Sequence, residues 1–197
     1  MTETLSIYLN HFNSLNRGYN KGLGRAPHKP ILLLAIIQQI DKGNINSNRI
    51  FITPELLSSF NNFWNLLVDT KHIANFALPF FHMRSEPFWY LVTQPSMKLK
   101  ITKSKSIKSF KSLKETIAFA EIDKDLFLLL SKSVNRLFFV ENLLNNYFPN
   151  TKSNFSFNNI NDEEEKIEYQ ILNEEKAEYQ NSLDELRATL DEDKFEE

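Results

Sequence analysis

Gly24, Arg25, Ala26, Pro27, His28, Lys29 and Pro30 form a stiff, cationic stretch that runs without a spacer into the apolar Ile31-Leu32-Leu33-Leu34-Ala35-Ile36-Ile37. Pro30 suits the first turn of a helix, where its missing N–H would have no intrahelical partner. A helix N-terminus offers free backbone N–H groups and the positive end of the helix dipole, a combination that favours an anion. Lys29 adds charge, His28 adds a hydrogen-bond donor, and Arg25 can reach in from the glycine-rich loop. A buried helix would hold these groups rigidly, so the abutment reads as a pre-organised phosphate seat. The spacing also allows a plainer reading, in which His28 and Lys29 decorate an ordinary helix start beside two prolines.

A second cationic feature points the same way. Lys98, Lys100, Lys103, Lys105, Lys108, Lys111 and Lys114 place seven lysines within 17 residues with no acid among them. Lys108, Lys111 and Lys114 recur every three residues, close to one helix face, and serines at 104, 106, 109 and 112 lie between the lysines. Soluble faces ordinarily mix both signs. A phosphate backbone is the partner that fits a single-sign stripe. Arg17, Lys21, Lys98, Lys100, Lys103, Lys105, Lys108 and Lys111 are therefore assigned to DNA-backbone contact.

Other chemistries lack their residues. There is no cysteine, which removes disulfides, thiolate metal sites and cysteine nucleophiles. His11, His28, His72 and His82 make no HxH, HxxxH or HExxH spacing. Residues 121–125, Glu-Ile-Asp-Lys-Asp, faintly resemble a nuclease carboxylate–lysine cluster, but they fall where a helix start would place acids as caps. No phosphate-binding loop, nucleophile elbow or paired catalytic carboxylates appear. The expectation is a chain with no catalytic residue, no metal, no cofactor and no small-molecule substrate.

The elements that must hold these residues belong to one domain with an appendage. The chain has 197 residues, 42% of them hydrophobic, and 17 Phe give its core an aromatic character. With no signal-peptide pattern and no membrane-length apolar run, the expectation is a soluble, cytoplasmic protein of a bacterial or archaeal cell. The net charge of -2 conceals a division. Residues 1–150 hold 18 Lys+Arg against 10 Asp+Glu, a net of +8, whereas residues 151–197 hold 5 against 15, a net of -10. A polyanion-facing body with an acidic attachment is implied.

Leu5, Tyr8, Leu9, Phe12 and Leu15 predict an amphipathic helix over 3–16. The next stretch holds Gly18, Gly22 and Gly24, three of the four glycines, and must turn sharply or approach something closely. The helix after Pro30, apolar all round, should cross the centre of the fold. Thr53 and Pro54 cap a third helix with Leu56, Phe60, Phe63 and Leu67 on its stripe. The aromatic runs at 76–83 and 88–93 read as extended segments or a hairpin, with Pro79 and His82 on a loop surface. Phe80, Phe88 and Trp89 are core residues in this reading. Residues 97–101 alternate like a strand, and helices follow near 107–118 and 123–148, the latter broken around 131–133. Pro149 ends the body, 151–161 is a polar linker, and 162–197 is an acidic connector helix. The class is mainly α with a small β hairpin or sheet, an α+β, winged-helix-like DNA-binding domain.

The blocks at residues 26–37, 78–92 and 123–148 resemble, in order and spacing, the DNA-reading domain that precedes the HNH nuclease in McrA-type restriction endonucleases. That family's domain is called the sulfur-binding domain because members recognise phosphorothioate DNA, in which sulfur replaces a non-bridging phosphate oxygen. The resemblance covers about residues 5–150, and the acidic segment resembles the connector before the HNH module, which is itself absent from this sequence. It implies that His28 and Lys29 contact the modified phosphate and that Leu78 and Pro79 help form an apolar cup for sulfur, with His82 completing the cup. Arg25 joins them in the phosphate- and sulfur-binding set. The family's well-known members carry Arg at the place of Lys29, Tyr at the place of Leu78 and a small residue at the place of His82.

The expectation is a double-stranded DNA reader for a modification-dependent HNH restriction endonuclease active in phage defence. Its nuclease module would be supplied in cis or in trans, and no membrane is involved. Two readings from other classes compete with it. One is a protein-interaction adaptor working through the acidic helix, and the other is a winged-helix transcription regulator using residues 98–114.

Overall fold

The computed structural model describes residues 3–95, 107 and 109–155, all within a compact unit spanning Met1–Asn159. The lysines at 98, 100, 103, 105 and 108, the strand read at 97–101 and the acidic helix read at 162–197 lie outside the described residues.

Helix α2 (His28–Asp41) is the axis of the fold, and every residue from His28 to Ile40 is buried. Its apolar run has no wet face, so other elements must surround it. Helices α3 (Pro54–Leu67), α4 (Ala77–His82) and α7 (Ser133–Tyr147) pack against it, and α1 (Glu3–Asn13) packs on α7. Its buried polar pair is satisfied internally: Gln39 Nε2 donates to Ser59 Oγ at 2.5 Å, and Ser59 Oγ donates to Gln38 Oε1 at 2.6 Å. Thr53 caps α3 as expected, its Oγ1 accepting from Leu56 N at 3.3 Å, with Pro54 at the first helical position. Phe12, Phe60, Phe63, Phe80, Phe81, Phe88 and Phe139 are fully buried, which accounts for much of the phenylalanine content.

The glycine-rich loop is a hairpin. Strands β1 (Tyr19–Asn20) and β2 (Gly24–Arg25) pair antiparallel, and Gly24 has φ +82°, a conformation that favours glycine. The second sheet has the order β3-β5-β4, all antiparallel, from β3 (Arg49–Ile50), β4 (Trp89–Thr93) and β5 (Ile117–Ile122). Helix α5 (Phe110–Thr116), capped by Ser109, leads directly into β5. The break at 131–133 is real and separates α6 (Lys124–Leu130) from α7.

Four sequence readings are corrected. Residues 77–82 form a helix rather than an extended run, because Pro79 sits in the first turn, where its missing N–H costs nothing. Asn75 Oδ1 helps start that helix by accepting from Leu78 N at 3.2 Å, and Phe76 and Phe80 bury together one turn apart. Pro79 is accordingly buried and not on a loop surface. The helix read over 107–118 stops at Thr116, and the central strand β5 follows with no turn residue between them. The body also continues past Pro149: Phe155 stacks on Phe63 at 5.2 Å, Thr151 Oγ1 donates to Leu67 O at 2.7 Å, and Asn154 Nδ2 donates to Leu66 O at 3.1 Å.

Candidate functional site

Three separate pieces of chain enclose a cavity of about 380 Å³. The loop after α1 contributes Asn16, Arg17 and Gly18, the start of α2 contributes Ala26, His28 and Lys29, and α4 with the turn after it contributes Leu78, Pro79, His82 and Ser85. Arg17, His28, Lys29, Leu78, Pro79 and His82 were all singled out in the sequence, and tertiary structure brings them to one wall-to-wall space.

His28 and Lys29 occupy the first two positions of α2. His28 Nε2 donates to Ile73 O at 3.0 Å. A carbonyl oxygen only accepts, so Nε2 carries the proton and Nδ1 is an acceptor in the neutral ring. The ring meets Trp64 edge-on at 4.5 Å. Burial pushes the His28 imidazole below the usual histidine range, with His72 adding to the effect and the Ile73 bond opposing it. The free site therefore favours the neutral ring at His28.

Lys29 belongs to a buried ion pair. It is only 6% exposed, and its Nζ donates to Ser85 Oγ at 2.8 Å and to the Glu86 carboxylate, itself 6% exposed. Burial pushes the ammonium down, and Glu86 opposes that fall. Two of its three protons are occupied, leaving one for a ligand. Glu86 Oε1 additionally accepts from Asn16 N at 3.0 Å, so one buried carboxylate ties the Lys29 side chain to the loop that carries Arg17.

Arg17 is the cation without a carboxylate partner among the described residues that line the cavity. Its guanidinium lies 4.4 Å from the centre of the Tyr147 ring. Tyr147 is locked by donating to Phe12 O at 2.6 Å and accepting from Leu15 N at 3.3 Å. Burial lowers the Arg17 pKa, with Tyr147 opposing and the nearby Arg25 charge contributing in the same direction as burial.

Helix α4 supplies the apolar wall, Leu78 and Pro79. His82 closes it, and burial, Arg84 and Lys29 all hold its imidazole below the usual range. Arg25 lies on β2, exposed and outside the lining, and Lys21 is exposed in the hairpin turn. Lys111 is exposed on α5. Glu86, Ser85, Asn16, Ile73 and Tyr147 are site residues that sequence reasoning missed. Glu86 sits in a turn 57 residues from Lys29, beyond the reach of any periodicity. Of the acids at 121–125, Glu121 pairs with Arg49 at 3.1 Å and Asp123 Oδ2 accepts from Tyr8 Oη at 2.9 Å.

Chemically, the cavity offers one cation without a carboxylate partner among the described residues, one spare ammonium proton, two imidazoles and an apolar patch. An anion with one soft, weakly hydrogen-bonding edge matches that distribution.

No family model and no curated protein matches the chain. Among solved structures it is similar to the sulfur binding domain and SRA domain of ScoMcrA complexed with phosphorothioated DNA, with a TM-score of 0.54 and 16% identity. That match covers 72% of this chain and 42% of the other, so the chain spans less than half of that relative's length. It is similar also to the sulfur binding domain of ScoMcrA complexed with phosphorothioated DNA, with a TM-score of 0.52 and 17% identity, covering 72% of this chain and 87% of that one. The chain shares the fold of these domains.

Proposed function

We propose that this chain binds double-stranded DNA and reads a phosphorothioate in its backbone through the cavity between the loop after α1, the start of α2 and α4. The observation that carries the proposal is the convergence of Leu78 and Pro79 with Arg17 and Lys29 on the lining of one cavity. Sulfur is larger, softer and a poorer hydrogen-bond acceptor than the oxygen it replaces. The apolar wall takes the sulfur while Arg17 and the spare Lys29 proton hold the remaining phosphate oxygen. Burying a few tens of Å² of apolar surface is worth about 1 kcal/mol, so selectivity also depends on oxygen losing water at a wall that returns no hydrogen bond. The shared fold with domains solved on phosphorothioated DNA supports this reading.

In this reading the chain is a non-catalytic reader for an HNH endonuclease module supplied in cis or in trans, acting in restriction and phage defence inside the cell. Lys98, Lys100, Lys103, Lys105, Lys108 and Lys111 hold the flanking backbone, and the acidic segment at 162–197 is the connector to that module. The test is equilibrium binding to matched oxygen and sulfur duplexes, each phosphorothioate stereoisomer separately. A modest preference for sulfur in one stereoisomer is expected. Equal binding of both duplexes would end the phosphorothioate assignment, and absence of binding to either would end the DNA-binding one.

A further inference from the structure

Glu86 does not line the cavity, yet it touches all three of its walls. Its Oε1 accepts from Lys29 Nζ on α2 and from Asn16 N on the Arg17 loop, and Ser85 Oγ lies 3.3 Å away. A buried carboxylate in that position does more than satisfy a lysine. It cancels the Lys29 charge before any ligand arrives.

We infer that Glu86 is a positioning residue that sets the charge of the cavity, leaving Arg17 as its one uncompensated cation and so making recognition depend on hydrogen-bond demand and shape rather than on net charge. This rests on the proposed reading of a modified phosphodiester. A cavity with two free cations would draw any phosphate, modified or not, and the apolar wall would contribute a small part of the affinity. With the Lys29 charge compensated by Glu86, the contribution of Leu78 and Pro79 is large enough to decide between sulfur and oxygen.

Other groups that bear on Lys29 are His28 beside it on α2, His82 on α4 and Arg17 on the same cavity, with Tyr147 of α7 near both Glu86 and Arg17. Glu86 is the carboxylate among them. Removing its charge leaves Lys29 buried and uncompensated, so desolvation would then drive the ammonium toward its neutral form.

The test compares the full chain with its E86Q form on matched oxygen and sulfur duplexes, across salt and between pH 6 and 9. At pH 6 the E86Q chain should bind the oxygen duplex more tightly, with a salt slope steeper by about 0.9, and its sulfur-to-oxygen affinity ratio should fall toward one. Between pH 7 and 9 its affinity should drop, whereas the unsubstituted chain should hold level because Glu86 keeps Lys29 charged. E86D should restore the level profile. A wild-type salt slope and pH profile in a folded E86Q chain would overturn the inference. So would a tenfold loss of affinity between pH 7 and 9 in the unsubstituted chain, a measurement that needs no variant. If the unsubstituted chain binds both duplexes equally, the phosphorothioate reading fails, while the salt and pH effects on the oxygen duplex still decide the role of Glu86.

Discussion

His28 Nε2 donates to the Ile73 carbonyl oxygen at 3.0 Å, tying the first residue of α2 to the loop before α4 across 45 positions of sequence. The bond fixes the tautomer of a neutral ring that lines the cavity.

Proton-linked binding follows from that arrangement. His28 and His82 are both held below the usual histidine range, chiefly by burial. A phosphate anion in the cavity favours imidazolium, so the histidine pKa values are higher in the complex than in the free chain. Binding then takes up protons, and affinity rises as pH falls from about 7 toward 5. Titrating binding over that range checks the sign. His28→Gln and His82→Gln together should flatten the profile.

Pro79→Ala should erase the sulfur preference and leave binding to ordinary DNA nearly unchanged. Alanine is compatible with the helix, so the substitution removes apolar cavity wall while the cations stay in place. Lys29→Ala should weaken binding to both duplexes. Paired measurements on the two duplexes separate these outcomes, and equal losses from both substitutions would contradict a division of labour between the walls.

Affinity for DNA should depend steeply on salt. With about five phosphate contacts, log K should fall against log salt with a slope near -4 to -5. Arg17→Ala should flatten the slope by about 0.9, and joint alanine replacement of Lys105, Lys108 and Lys111 by about 2.7. An unchanged slope in the triple variant would remove those lysines from the interface.

The domain boundary is also testable. Phe155 packs on Phe63, so Phe155→Ala should cost about 1–2 kcal/mol of stability. A chain ending at residue 157 should keep full stability and bind DNA non-specifically more tightly, because the acidic segment is gone. A chain ending at Asn150 should melt lower, since it also loses the Thr151 and Asn154 bonds to α3.

Local patterns carried much of this fold. The run from Ile31 to Ile37 has no polar face, so it could only be a central element, and it is. Thr53-Pro54 caps a helix through chemistry confined to four residues, and three clustered glycines signal a turn for the same local reason. Of the cationic stretch from Arg25 to Lys29, His28 and Lys29 line the cavity and Arg25 does not. Its electrostatics were another matter. Whether Lys29 is a free phosphate ligand or half of a buried ion pair depends on Glu86, 57 residues away, and no local period spans that distance. The aromatic run at 76–83 has β propensity, but burial of Phe76, Phe80 and Phe81 in the core, with Phe76 edge-on to Phe60 of α3, made it a helix, since packing outweighs a propensity scale that spans about 1 kcal/mol. Strand β5 exists because β3 and β4 flank it and take its backbone hydrogen bonds. The site follows the same division: sequence chose the residue types, and the chain's return past α2 at Glu86 decided which cation is compensated.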